Sequence, residues 1–289
     1  MCQQPSIPLI SEKIVFYGAG SMAEAIVRGM IARSVVASDH VVVLNRSSNE
    51  RLAELRARYG VLASNDPEQK TEYLRTSPVI VLAMKPKDAA EALRTLGPLL
   101  TPEQLVISVI AGLTIRTIQG LLGRQQPVVR TMPNTSSSIG LGATGISFSK
   151  EVDENGRRLA LNMFEAVGLT SVIDEERMET LTGISGSGPA YIYYMMEAMI
   201  AAGIRGGLSA EQSGELTVQT VLGAARMVQQ TGELPATLRK KVTSPNGSTQ
   251  AALEVLDKGD FFETVIAAVN RCAERSREMG TALEKELIK

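Results

Sequence analysis

Short, continuously apolar runs alternate with helical stretches as far as Asp174, and beyond that residue the runs stop. Strands are expected at Lys13–Tyr17, Val41–Asn45, Pro78–Ala83, Leu105–Val109, Val128–Thr131, Gly145–Phe148 and Thr170–Ile173. Between them the pattern predicts helices at Ala23–Ala32, Asn49–Tyr59, Lys87–Gly97, Ile115–Leu122 and Glu154–Ala166. Runs such as I-V-F-Y, V-V-V-L and V-I-V-L have no polar face. Helices must therefore cover both sides of the sheet, which implies βαβ units and mostly parallel strands. After Asp174 only helical patterns remain, at Glu175–Thr182, Pro189–Ile204, Ala210–Gln230, Ala236–Val242, Gln250–Leu256 and Phe261–Met279. Ser209 and Gln212 fit a capping box for the long middle helix. The expected organisation is an α/β domain over residues 1–174 followed by an all-α domain over 175–289.

The first expected strand runs into Gly18-Ala19-Gly20-Ser21-Met22-Ala23, a G-x-G-x-x-A spacing at the start of a helix. Gly18 allows a tight turn, Gly20 lets a pyrophosphate approach the backbone, and Ala23 keeps the helix close to the sheet. In this strand–turn–helix setting the motif marks a Rossmann-like dinucleotide site. The second strand refines the cofactor. It ends in Asn45-Arg46-Ser47-Ser48 with no carboxylate before Glu50, whereas an NAD site places an acid there for the ribose hydroxyl. Arg46 can instead pair with a 2′-phosphate, helped by Ser47. NADPH is therefore the expected cofactor, with NADH possible. Three further strand ends should face the same cleft: Ala83-Met84-Lys85-Pro86, Ser108 to Ala111-Gly112, and Arg130 to Asn134-Thr135.

The chain has one histidine, His40, and two cysteines, Cys2 and Cys272. That leaves no zinc set, no disulfide framework and almost no base for a triad, so reactive chemistry should come from a cofactor. His40 reads as a solvated loop residue. A net charge of −1 gives no reason to expect nucleic acid. No apolar run approaches the roughly 18 residues of a membrane span, and the start, M-C-Q-Q-P-S-I-P, lacks a secretory pattern. A cytoplasmic protein is expected.

In the helical half, Ser244-Pro245-Asn246-Gly247 forms a turn that feeds a helix opened by Ser248 or Thr249. Unpaired N–H groups at such a start can hold an anion, and the hydroxyls of Ser244, Ser248 and Thr249 crowd the same point. Read alone, the segment is more readily an ordinary helix cap, since Ser and Thr are favoured there; the rest of the chain favours the anion site.

Taken together, G-A-G-S-M-A at 18–23, A-M-K-P at 83–86, S-V-I-A-G at 108–112, R-T-M-P-N-T at 130–135, G-S-G-P-A-Y at 186–191 and T-S-P-N-G-S-T at 243–249 resemble the pyrroline-5-carboxylate reductases almost end to end. The resemblance implies hydride transfer from NAD(P)H to the imine carbon of 1-pyrroline-5-carboxylate, giving L-proline in the last step of its biosynthesis. It implies that the loop from Ser244 to Thr249 holds the substrate carboxylate, with the N–H groups of Gly247, Ser248 and Thr249 assigned to it. Thr249 would lie near the ring nitrogen, Lys85 at the cofactor cleft, and Asn65 near the adenosine ribose. Thr249 and Lys85 are the candidate catalytic residues. The resemblance also implies a homodimer formed through the helical domain, each active site drawing on two chains, and a larger ring of dimers in some members. Two departures stand out. Ser136 replaces a usual proline, and Asn246 replaces the first of two usual glycines, a position that asparagine can fill at positive φ. Alternative readings are a reductase of another cyclic imine and a non-catalytic NADP-binding paralogue.

Overall fold

The computed structural model describes residues 10–287; Cys2 and the first eight residues, read above for a secretory pattern, lie outside them. Eight strands form one sheet: β1 (Ile14–Tyr17), β2 (Val41–Leu44), β3 (Leu62–Ser64), β4 (Val79–Leu82), β5 (Leu105–Ser108), β6 (Val128–Met132), β7 (Gly142–Phe148) and β8 (Gly168–Val172). Their spatial order is β3-β2-β1-β4-β5-β6-β7-β8. All neighbours are parallel except β6 and β7, which pair antiparallel, Arg130 opposite Ser147.

Six helices flank this sheet: α1 (Ser21–Ala32), α2 (Asn49–Tyr59), α3 (Pro67–Thr76), α4 (Ala89–Leu96), α5 (Ile115–Leu122) and α6 (Glu154–Glu165). The strand side chains alternate between two cores. Ile14, Phe16, Val41 and Val43 pack with Ile26 and Met30 of α1, Leu52 and Leu55 of α2, and Phe164 of α6. Val15, Val42, Leu44, Ile80 and Leu82 pack on the other face with Leu74 of α3, Leu93 and Leu96 of α4, and Ile118 of α5. This two-faced burial is why the strands read as unbroken apolar runs. Two elements here are not evident from the sequence pattern, the short strand β3 and the helix α3.

The remaining helices are α7 (Met178–Leu181), α8 (Gly188–Arg205), α9 (Ala210–Thr231), α10 (Pro235–Lys241), α11 (Ser248–Lys258) and α12 (Phe261–Leu287), with a π-helical turn over Thr182–Gly186. The predicted capping box of α9 is present in full: Gln212 N–H donates to Ser209 Oγ at 3.1 Å and Ser209 N–H to Gln212 Oε1 at 3.0 Å.

The chain divides into two compact units elsewhere than at residue 174. One runs to Gly186 and includes the chain from Cys272 onward; the other is Ser187–Arg271. Two sets of polar contacts explain the difference. Arg130, buried on β6, pairs with Glu175 at 3.1 Å and Glu179 at 2.9 Å, so the first residues after the sheet are tied to it. Glu284 near the end of α12 accepts from Thr114 Oγ1 and Thr117 Oγ1, each at 2.7 Å. Gly112 has φ +79, and a Cβ on it would lie 3.4 Å from Gly280 Cα of the same helix.

The unit Ser187–Arg271 is helical and buries little of its own apolar surface. No residue of α8 is buried, and Tyr193, Tyr194, Leu216, Val218, Leu222 and Phe262 are all exposed. So many exposed large apolar side chains point to an interaction surface.

Candidate functional site

The C-terminal ends of β1, β2 and β4 open onto a cleft of about 680 Å³, within the range of ligand sites. It is lined by Tyr17, Gly18, Ala19 and Gly20 from the end of β1 onward, by Asn45 and Arg46 after β2, and by Ala83, Met84 and Lys85 after β4. Gly18 has φ +128, and a Cβ there would overlap the carbonyl of Ala83 and come within 2.9 Å of Met84 N. Only glycine fits between β1 and the loop after β4. A Cβ on Gly20 would meet nothing nearer than Ala83 O at 3.9 Å, so this backbone is open to a ligand. Gly20 is also the N-cap of α1, with no side-chain cap, so the N–H groups of Ser21 and Met22 remain without an intrahelical acceptor. Ala23 is buried, as expected of the residue that seats the helix.

Arg46 reaches 3.7 Å from Asp88 across the mouth of the cleft. With Arg46 82% and Asp88 41% exposed, this pair holds the guanidinium only loosely and leaves it available to an anion. The cleft contains cationic groups that the sequence reading does not assign: Lys70, contributed by α3, and Lys87. Tyr17 stands half-buried at the end of β1. Burial, and then the charge of nearby Glu91, raise its pKa, so the phenol stays a hydrogen-bond donor.

Several residues expected at the cofactor do not line this cleft. Asn134 uses its amide structurally, donating to Ser185 O at 2.9 Å and accepting from Ala143 N–H at 3.2 Å. It does not line the cleft. Arg130, at the head of the same motif, is a buried anchor for Glu175 and Glu179. Ala111 and Gly112 do not line the cleft either; Gly112 accommodates α12. Asn65 donates to Asn49 Oδ1 at 2.8 Å, beside the cleft residues rather than among them. Ser47 and Pro86 flank lining residues without lining the cleft themselves. His40 is half-buried at the amino end of β2, its Nδ1 enclosed, and is not a solvated loop residue.

In the helical unit the expected turn is present. Asn246 adopts φ +57, the left-handed conformation anticipated for a glycine replacement. Gly247 is the N-cap of α11 and no side chain caps the helix, so neither Ser248 nor Thr249 serves as its cap. One assignment needs correction. Gly247 N–H is already donated to Ser244 O at 3.0 Å and is unavailable for a carboxylate. The first intrahelical bond is Ala251 N–H to Gly247 O at 3.2 Å, which leaves the N–H groups of Ser248, Thr249 and Gln250 unpaired. Gln250 Oε1 accepts from Asn246 N–H at 2.8 Å and braces the turn.

Among the described residues no cluster of three or more His, Cys, Asp and Glu is arranged to hold a metal ion, and no helix is long and apolar enough to cross a membrane.

Comparison with known proteins agrees with this geometry. Residues 13–112 match the family described as NADP oxidoreductase coenzyme F420-dependent, and residues 175–279 match pyrroline-5-carboxylate reductase dimerisation. The second match spans the helices that carry most of the exposed apolar side chains, in keeping with a dimer formed through this region. Pyrroline-5-carboxylate reductase 2 of Bacillus subtilis is 43% identical over 95% of this chain and 99% of its own. The structure of a pyrroline-5-carboxylate reductase from Coxiella burnetii superposes with a TM-score of 0.87 at 38% identity, covering 93% of this chain and 98% of that one. The Plasmodium falciparum pyrroline carboxylate reductase with NADP bound gives 0.83 at 29% identity, covering 94% and 99%. The chain belongs to the pyrroline-5-carboxylate reductase family.

Proposed function

We propose that the chain reduces 1-pyrroline-5-carboxylate to L-proline, with NADPH as reductant. What supports this reading is that two helices start without a side-chain cap, α1 behind Gly18-Ala19-Gly20 and α11 behind Asn246-Gly247, and each such start suits an anion. The first fits a dinucleotide. Its backbone at Gly20 is open, with nothing nearer than Ala83 O at 3.9 Å to a Cβ built there, and Arg46, Lys70, Lys85 and Lys87 put positive charge around the cleft. When bound, NADPH supplies the hydride that the imine carbon accepts.

The chain's own groups bind and orient. The N–H groups of Ser21 and Met22 face the pyrophosphate and Arg46 the 2′-phosphate, with Ser47 beside it. Lys85, on the cleft wall, serves the cofactor as a counter-charge. The N–H groups of Ser248, Thr249 and Gln250 hold the substrate carboxylate, with the Ser244 hydroxyl as a fourth donor. Thr249 Oγ1 accepts no hydrogen bond from the described residues and is assigned to the ring nitrogen. A threonine hydroxyl is a weak acid, so its contribution is orientation. A protonated imine is already electrophilic, which is why the site manages without histidine or cysteine.

The protein acts as a homodimer through its helical unit. Shared active sites, a ring of dimers and a cytoplasmic location belong to the same proposal. The test is NADPH oxidation, followed by its absorbance, with purified protein and 1-pyrroline-5-carboxylate. Substrate-dependent oxidation faster with NADPH than with NADH supports the reading; NADPH binding without turnover refutes it.

A further inference from the structure

Arg51 lies in the first turn of α2, a few residues after Arg46, yet its side chain turns back to the glycine-rich loop. Its Nε donates to the carbonyl of Ala19, the middle residue of Gly18-Ala19-Gly20, at 3.0 Å. Its Nη1 donates to Glu54 at 2.7 Å, and its Nη2 pairs with Glu24 in the first turn of α1. Glu24 also accepts from Tyr59 OH at 2.8 Å and Arg58 Nη1 at 3.1 Å. The main-chain N–H of Arg51 is in turn held by Ser48 Oγ at 3.2 Å, directly after the Asn45–Ser47 stretch. One residue thus joins the loop assigned to the 2′-phosphate, the loop assigned to the pyrophosphate and the start of α1.

The physical consequence follows from the planar trans peptide, in which C=O and the next N–H point in opposite directions. Pinning Ala19 C=O toward α2 aims Gly20 N–H away from α2, and no residue of α2 lines the cleft. Released, the same peptide could turn its carbonyl, the negative end of the dipole, toward the anion. Arginine suits the task because a rigid fork can satisfy the carbonyl and both carboxylates at once, whereas lysine presents a single point charge.

We infer that Arg51 is a positioning residue for the cofactor, clamping the glycine-rich loop through Ala19 so that its N–H groups face the pyrophosphate. The inference rests on the NADPH reading of the cleft. Because the clamp acts on a part common to both nicotinamide cofactors, its loss should weaken NADPH and NADH alike. Loss of Arg46 should affect NADPH alone.

The test is fluorescence titration of NADPH and NADH into the wild type and the Arg51→Gln, Arg51→Lys and Arg58→Ala variants, with melting temperatures and steady-state kinetics alongside. Arg51→Gln should raise both dissociation constants by about tenfold, the scale of one charge-assisted hydrogen bond. The KM for 1-pyrroline-5-carboxylate, and kcat at saturating cofactor, should hold. Arg51→Lys should recover part of the affinity. Arg58→Ala, which removes a Glu24 partner that does not touch the loop, should leave both constants unchanged. A lowered melting temperature with unchanged dissociation constants would reduce Arg51 to a structural role and overturn the inference. So would an equal effect from Arg58→Ala. Wild-type protein that binds neither cofactor would instead overturn the cofactor reading, and the clamp with it.

Discussion

Replacing Arg130 with methionine probes the claim that this residue is an anchor and not a cofactor contact. Its side chain is 6% exposed, and it pairs with Glu179, itself 14% exposed, at 2.9 Å and with Glu175, 30% exposed, at 3.1 Å. The substitution keeps much of the side-chain volume but leaves Glu179 enclosed without a counter-charge. Removing one partner of a buried pair costs about 3–5 kcal/mol. Glu175 adds less, since it is more exposed and keeps the N–H of Ile115 at 2.8 Å. At roughly 2–4 °C per kcal/mol for a chain of this size, the melting temperature should fall by about 10 °C. Calorimetry at fixed protomer concentration would measure it, because dimerisation couples stability to concentration. The double variant Arg130→Met/Glu179→Leu removes both charges and should recover most of the loss, as apolar replacements of buried pairs often do. A single variant within 1 kcal/mol of wild type, or a double variant as unstable as the sum of the two singles, would refute the anchor.

Other expectations follow from the site. Arg46→Ala should raise the KM for NADPH by at least tenfold and spare that for NADH, as loss of one charge-assisted contact implies; an unchanged cofactor preference would contradict the 2′-phosphate assignment. Thr249→Ala should lower kcat with 1-pyrroline-5-carboxylate far more than it weakens NADPH binding measured by titration. The pKa of Glu24 is lowered, because its bonds to Arg51, Tyr59 and Arg58 outweigh the burial that would raise it. A depressed carboxylate stabilises the fold above its ordinary pKa and loses that contribution as pH falls through the folded value. Glu24→Gln should therefore melt below wild type at pH 7, and thermal scans should show the gap closing below about pH 4.5.

Much of the architecture was legible because the strands are short, apolar and covered on both faces, so β1, β2, β4, β5 and β6 fall where the runs predict. The strand β3 and helix α3 escaped for a physical reason. β3 has three residues, and α3 reads P-E-Q-K-T-E-Y-L-R-T with Leu74 as its one buried residue. A cap signal was there in Asp66-Pro67, since Asp66 accepts from Gln69 N–H at 2.9 Å. Missing α3 concealed Lys70, and with it part of the cleft's charge. The unit boundary depends on Arg130 meeting Glu175 and Glu179, a contact across more than forty residues that no local pattern reveals. The π-helical turn likewise has no sequence signature.

The site divides along the same line. Gly18, Gly20, Asn45, Arg46, Ala83 and Lys85 meet in one cleft because a glycine motif and strand ends specify it locally. Asn134 and Gly112 sit in motifs of similar appearance, but Asn134 is bonded to Ser185 and Gly112 lies against Gly280, while Ala111 is exposed outside the cleft. In the loop before α11 the positive φ at Asn246 was foreseeable. The loss of Gly247 N–H to the turn was not, because it depends on how that turn closes.

The most direct test of the central claim is to follow the hydride. NADPH deuterated at both C4 positions would be incubated with the protein and 1-pyrroline-5-carboxylate, and the product analysed by mass spectrometry and NMR. The account predicts L-proline carrying one deuterium, at the ring carbon that was the imine carbon. Proline without deuterium, or oxidised cofactor with no proline formed, would contradict it.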